Sequence, residues 1–535
     1  MRIALFHGYE LTGSGSNEYT RYLAAALHDA GHEVHLLCRE PKPADISGVA
    51  EAYDWDVRGR PQQMFQRGGA GVIVHRLPHA PTRPVFLTDK QRHGNVKSFA
   101  ELSDAELREY HDISVRAVTA VLRKHPVDVL HANHVVYQPM VARDACAATN
   151  TPYIVFPHGS SIEYTLRQDE RYREPALQAM LSAHAIISGS EEVKQRILDL
   201  YPDDAPALAA RTQIVGVGVD TALFTPVAPS GRDTAIAPLL RGGPYLGKSP
   251  VLARDLAAKL NRGDIDSVRE YRDAYDHSQP DEDLGTKLAS ISWDDPLLLF
   301  VGALTAGKGL QSLIAALPEL GRTHPGVRLA IVGSGAYRET LEALVHAITT
   351  GNERLLDGLV EAGWDLDRSA ETGPWKDVAS YLADRRNREL LLTAGAGFRN
   401  RVLFLGRLDH TRLQHLFPCA DVAVFPSQIP EAYPLVLIEA LANGVIPAVS
   451  DFSGFHDGLA TLEPLLGARW VDRMRLPVRD DGRIEGIANG IGQILADPER
   501  SALLPKLREI AVEHFDWSVR AKQMADAYAA AIAGG

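Results

Sequence analysis

Twice along this chain the same order of elements begins afresh, and that repetition limits the folds open to it. RIALFHG is a short apolar run followed by a Gly/Ser loop, YELTGSGSNEY. A helix-like TRYLAAALHDA, Gly31 and a second apolar run come next. DPLLLFVGALTAGKGLQSLIAAL, starting at residue 295, restarts the pattern of strand, glycine-containing loop and helix. Strands alternating with helices in this way predict βαβ units and parallel sheets. At 535 residues the chain is too long for one core, so two α/β domains are expected.

The most informative stretch is FPSQIPEAYPLVLIEALANGVIPAVSD, residues 425–451. It reads as a strand end, a loop, a helix and another apolar strand. Pro434 suits the first turn, where a missing N–H costs nothing, and Gly444 sits where a left-handed helix stop is expected. Glu431 then lies ahead of the helix N-terminus and Glu439 more than a turn inside it. The free N–H groups of a helix start suit anionic or hydroxyl-rich ligands. An ionised carboxylate only accepts hydrogen bonds, so each glutamate can hold a pair of sugar hydroxyls. Two glutamates at this spacing alone would read as solvated carboxylates; the strand, Pro-Ser, helix and glycine around them raise the specificity.

The pattern PS…E…E…G, with seven residues between the glutamates, resembles the signature of retaining glycosyltransferases of family 4, which have the two-domain GT-B fold. The resemblance covers about 1–225 and 295–530 in organisation. It implies two Rossmann-like, doubly wound parallel-sheet domains facing a cleft. By the same resemblance Glu431 holds the donor sugar and Glu439 the nucleotide ribose, with Ala432, Tyr433, Pro434 and Leu435 beside them on the donor side. His158, after the strand TPYIVFP, falls near the reacting sugar. Lys308, in Gly307-Lys308-Gly309 after Gly302, faces the donor diphosphate. The family's arginine in that loop is replaced here by Ala303, and Arg407 is a substitute only by residue type. The turn Gly406-Arg407-Leu408 falls where a nucleobase is contacted through the backbone. Gly13, Ser14 and Gly15 fall in the loop facing the acceptor and donor phosphates. As a dinucleotide fingerprint that loop fails, because its third glycine would be Glu18.

TQIVGVGVDTALFTP resembles the family's interdomain segment. This implies an acceptor-side domain at 1–222, with a last helix at 518–535 packing back on it. A nucleotide-sugar-binding domain follows at 223–517. Stretches at about 227–290 and 340–398 read as insertions, the second helical. The reaction implied is hexosyl transfer, with retention, from a UDP-, GDP- or ADP-linked sugar to a hydroxyl acceptor, with a small soluble acceptor favoured. Alternatives are a nucleotide-sugar epimerase on the same fold and a non-catalytic nucleotide-sugar-binding protein; Ala303 is the only feature that favours the latter.

A net charge of −12 argues against nucleic acid as a partner. No run approaches the roughly 18 apolar residues of a membrane span, and the N-terminus reads as a strand rather than a signal peptide. Cys38, Cys146 and Cys419 are far apart and fit a reducing cytoplasm. His131 and His134, at a strand end, read as packing or cleft lining rather than a metal pair. Asp54/Asp56, Asp264/Asp266 and Asp365/Asp367 read as solvated pairs. Neither a metal nor another cofactor is expected. The basic segment 85–97, with Lys90, Arg92 and Lys97, reads as a solvated loop.

Overall fold

The computed structural model describes residues 1–86, 95–367 and 371–534. The chain forms two compact units, Met1–Val219 with Glu513–Gly535, and Asp220–Val512. The sequence-based boundaries, 222 and 517, lie a few residues further along.

The first unit is built on β1 (Arg2–Phe6), β2 (Glu33–Cys38), β3 (Val49–Trp55), β4 (Pro61–Gln66) and β5 (Val72–Arg76). A ribbon of β6 (Arg83–Val85) and β7 (Val96–Ser98) intervenes. Then come β8 (Val129–Asn133), β9 (Tyr153–Phe156), β10 (Ala185–Ser188) and β11 (Thr212–Ile214). The nine-stranded sheet runs β11-β10-β9-β8-β1-β2-β5-β3-β4 and is parallel except at β3/β4. Its central strands are apolar on both faces, as a sheet covered by helices on both sides requires. The chain leaves β1 toward β2 and later returns beside β1 with β8, so the order reverses between β1 and β8. Ligands of open α/β sheets bind outside the strand C-termini at such a point.

Local chemistry sets the helix starts. Ser14 caps the helix Gly15–Asp29 by accepting from Asn17 N–H, and Ser190 caps Glu191–Leu200 by accepting from Val193 N–H. Glu191 and Glu192 complement that second dipole. Lys97 pairs with Glu106 at 2.8 Å, while Lys90 and Arg92 lie outside the described residues. The last helix, Trp517–Ala533, belongs to this unit. Its Trp517 stacks on Tyr22 with centroids 6.1 Å apart, and Tyr528 Oη lies 2.7 Å from His131 Nδ1. Gly218 is required where the chain passes that helix, because a Cβ there would lie 2.5 Å from the Trp517 ring.

A buried run of histidines joins three elements of this unit. Trp55 Nε1–H donates to His75 Nδ1 at 3.2 Å, which leaves His75 Nε2 to donate to His35 Nδ1 at 2.9 Å. His35 Nε2–H then donates to Glu33 at 2.9 Å. Ring nitrogens of His35, His75 and His125 lie within 4.8 Å of one another, a spacing open to a metal. The indole N–H on His75 Nδ1 places that ring's proton on Nε2, so Trp55, His75, His35 and Glu33 form a hydrogen-bonded relay.

The second unit carries β12 (Leu297–Val301), β13 (Arg328–Val332), β14 (Val402–Gly406), β15 (Val422–Phe425), β16 (Ile446–Ser450) and β17 (Arg475–Leu476). Their order is β14-β13-β12-β15-β16-β17, all parallel, which is the doubly wound arrangement with its switch point between β12 and β15. The stretch 227–290 forms the helices Arg232–Arg241, Pro250–Leu260, Ser267–Tyr271 and Leu284–Ala289. No apolar face is evident in its sequence, yet Leu256, Leu260, Val268, Leu284 and Leu288 are buried. Residues 340–398 are largely helical. No helix among the described residues is long and apolar enough to cross a membrane.

Of the aspartate pairs, Asp264, Asp266 and Asp365 are exposed, as a solvated reading expects, and some members also hold local partners. Asp54 pairs with Arg76 at 2.8 Å, and Asp264 accepts from Ser267 N–H at 3.2 Å. Asp367 accepts from Ala306 N–H at 2.8 Å, anchoring the loop that carries Lys308.

Candidate functional site

In the second unit the loops after β12 and β15 lie at the switch point and are zipped together. Gln428 N–H donates to Gly307 C=O at 2.7 Å. Gly309 has φ +71°, and a Cβ there would lie 1.9 Å from Pro426 O. Only glycine fits both the left-handed backbone and that approach. This closeness brings Lys308 Nζ to 2.5 Å from Glu431 Oε1, both side chains being about one-fifth exposed (24% and 19%). Ser427 Oγ donates to the same oxygen at 2.9 Å. The Glu431 carbonyl accepts from Gly454 N–H at 3.0 Å and from Ser453 Oγ at 2.9 Å. The loop is therefore fixed at both its side chain and its backbone.

The helix Leu435–Ala442 follows Ala432 and Tyr433. Pro434 stands at its N-cap with φ −80° and ψ 105°, one position before the first turn expected from sequence. Gly444 has φ +64° and its N–H reaches Leu441 C=O at 2.9 Å, ending the helix. Glu439 is buried on this helix, with His410 Nε2 3.3 Å from its Oε1. His410 opens the helix His410–Leu416, which Asp409 caps. His410 was not singled out in the sequence, because the pair joins two separate helices.

The strand ends meet through glycine backbone. Gly302 N–H donates to Val332 C=O at 3.0 Å, and Gly333 N–H donates to Gly406 C=O at 2.9 Å. At the following turn the structure departs from expectation. Arg407 N–H donates to Gln279 C=O at 3.2 Å, and Pro280 bridges to Gly406. The stretch 279–281 thus occupies part of the backbone that the resemblance leaves to a base, and Leu408 is buried. The Arg407 side chain makes no ion pair among the described residues.

Sequence reasoning also missed Arg483. Its side chain, 1% exposed, donates to Pro426 C=O at 2.8 Å, Ser427 C=O at 3.3 Å and Ser450 Oγ at 3.3 Å. Asp377 lies 3.6 Å away and also accepts from Ser312 Oγ and from Gln428 at 2.9 Å. Burial pushes the Arg483 guanidinium below its usual value and the Asp377 carboxyl above its own. No local pattern announces contacts made across 33 residues or more.

In the first unit the C-terminal ends of β1, β8 and β9 bring His7, Asn133, His134 and His158 together. His158 Nε2 donates to Asn133 Oδ1 at 2.8 Å, and its ring lies 4.7 Å from that of His134. His7 Nε2 donates to Asn17 Oδ1 at 2.9 Å. Burial, with neighbouring histidines, holds His158 and His134 well below the ordinary value, and burial brings His7 down to about 4. These rings are neutral at physiological pH. His134 has φ +70°, and neither of its buried ring nitrogens has a hydrogen-bond partner among the described residues. Gly13, with φ +101°, and the exposed Ser14 and Gly15 lead into the helix Gly15–Asp29, where nothing lies within 4 Å of a Cβ placed on Gly15.

Residues 14–210 match the model of the glycosyl transferase 4-like domain. Residues 289–355 and 383–504 match that of the glycosyl transferases group 1. The stretch from 211 to 288 and the gap at 356–382 lie outside both matches. The chain is 29% identical over 238 residues to glycogen synthase of Mycobacterium tuberculosis, covering 44% of this chain and 43% of that one. It spans about half the length of the curated relatives it matches. Among solved structures, sucrose-phosphate synthase of Thermosynechococcus elongatus superposes with a TM-score of 0.56 at 21% identity over the whole of both chains. Alr3699/HepE of Anabaena, in complex with UDP-glucose, superposes with 0.52 at 14% identity over 99% of this chain and all of that one. With these domain matches and the GT-B fold, the chain belongs to the group 1 glycosyl transferases, family 4 in style.

Proposed function

We propose that the protein is a retaining glycosyltransferase that moves a hexosyl group from a nucleoside-diphosphate sugar to an acceptor hydroxyl. The observation that carries this reading is the Lys308–Glu431 pair at the switch point, with buried Glu439 on the helix that follows. An ammonium beside a carboxylate supplies one group for a diphosphate and one for sugar hydroxyls. Glu439, paired with His410, accepts from ribose hydroxyls. In the step itself the bond from the anomeric carbon to the diphosphate oxygen breaks. The acceptor oxygen bonds that carbon on the same face, and the acceptor proton passes to the leaving phosphate. Lys308 and the N-terminus of the helix Leu310–Thr323 stabilise the charge that develops there. Glu431 and Glu439 orient the donor and transfer no proton. Catalysis is positioning plus electrostatics, and the reading uses no metal.

UDP is the first nucleotide to test, since a solved structural neighbour carries UDP-glucose. Calorimetry of UDP, GDP and ADP and their sugars, against wild type and Glu439→Ala, checks the reading. Binding of one nucleotide family, weakened about tenfold in the variant, supports it; failure of every nucleotide to bind removes it. Once a donor is known, the anomeric configuration of the product, read by proton NMR, tests retention.

A further inference from the structure

The second unit holds a cavity of about 490 Å³ that none of the donor loops lines. The helix Pro250–Leu260 and residues 281–290 form one wall, and the helix Arg338–Thr350 and the start of β14 form the other. Arg328 and Val402, both lining it, are the first residues of β13 and β14. The donor loops follow the last residues of their strands and do not line the cavity, whose wall residue Asp281 donates its N–H to Leu405 C=O beside the Gly406 turn. One wall comes mostly from a stretch outside the group 1 match and the other from residues inside it.

Its floor is electrically closed. Lys248 reaches Glu339 and Glu342, each at 2.8 Å. Arg338 clasps Asp281 with two nitrogens at 2.7 and 2.6 Å, and Lys287 reaches Asp281 at 2.7 Å. The rim differs. Arg254, Arg328 and Arg399 line the cavity and have no carboxylate partner among the described residues. Acidic residues outnumber basic ones in this chain, 68 to 56, so three unpaired arginines around one opening are not a shortage of carboxylates. The cationic rim is felt locally, since Arg399 helps burial to lower the His346 imidazole. Between floor and rim, Leu256, Val345 and Phe404 supply apolar wall. The volume falls within the range of about 300–1,000 Å³ typical of small-ligand sites. Guanidinium forks match phosphate oxygens two at a time.

We propose that this cavity binds a small organic phosphate, its apolar body against Leu256, Val345 and Phe404 and its phosphate held by Arg254, Arg328 and Arg399. The test uses the full chain and phenyl phosphate as probe, read by calorimetry at millimolar concentration, with phenol and inorganic phosphate as separate arms. The expected result is one site per chain. Arg328→Gln and Arg399→Gln should each weaken it about tenfold, and Lys308→Ala should leave it unchanged. Inorganic phosphate should bind more weakly at the same arginines. Absence of phenyl phosphate binding overturns the proposal. So does equal binding of phenol, or binding that Lys308→Ala abolishes while both arginine variants retain it. Circular dichroism of each variant confirms that lost binding is not lost folding; Arg399 is exposed, so its replacement leaves the core intact.

Discussion

Lys308 and Glu431, 123 residues apart, meet with Nζ 2.5 Å from Oε1. The contact exists because Gly309 lets one loop touch the carbonyl of Pro426 on the other. It sets the carboxylate in place before any donor arrives, and a diphosphate would compete with that carboxylate for the ammonium. Lys308→Ala is expected to lower turnover by about 10²–10³, the usual consequence of removing one preorganised partner of a developing charge. A partly exposed pair contributes only about 0–1 kcal/mol to stability, so the melting temperature should stay within a few degrees. Donor turnover and a thermal melt on the same preparation check both halves. A melt that falls as steeply as the rate would make Lys308 structural.

Gly309→Ala separates backbone from charge. The substitution leaves Lys308 in the chain but places a Cβ in a left-handed position and 1.9 Å from Pro426 O. The conformational cost alone is about 1–2 kcal/mol, and parting the two loops adds to it. The urea midpoint of the second unit should fall and nucleotide affinity should fall with it. An unchanged midpoint would show that the two loops are held together by other contacts.

Arg483 supports the same loop from beneath. Arg483→Leu removes the donor to the Pro426 and Ser427 carbonyls and leaves Asp377 buried without its cation. Breaking a buried pair by removing one partner costs about 3–5 kcal/mol. Adding Asp377→Asn should recover part of that loss, because an amide carries no charge to strand. Urea unfolding of both variants measures this, and a double variant no more stable than the single one would count against the pairing.

The strand–loop–helix rhythm and the 425–451 pattern could be read directly, because periodicity, a capping proline and a terminal glycine are local signals. Glu431, Glu439, Lys308 and His158 stand at fixed offsets from strand or helix ends, and the roles expected of them come from the family resemblance of those stretches. What stayed hidden is made by pairing across the fold. Arg483 reaches Pro426 across 57 residues, His410 meets Glu439 from another helix, and Gln279 takes the N–H of Arg407 from a stretch with no visible apolar face. The same holds for Asp367, which looks like half of a solvated pair until Ala306 N–H is found on it.

The buried histidines of the first unit make its stability depend on pH, with a sign that follows from burial. Burial lowers His7 to about 4 and His131 to about 3, from an ordinary 6.5. Below pH 6.5 the unfolded chain takes up protons that the folded unit refuses. The folded state is therefore fully favoured above pH 6.5 and loses stability as the pH falls toward 4 and then 3. Each such histidine contributes a slope of about 1.4 kcal/mol per pH unit within its window. In the second unit, Lys248 and Arg338 hold Glu342 at about 2 against desolvation, so its share is lost only as the pH falls from 4.5 toward 2. Between pH 6.5 and 4.5 the urea midpoint of the first unit should consequently fall, and His7→Asn should remove one histidine's share of the slope. A midpoint that stays level across that window would mean that these rings reach water and protonate freely in the folded chain.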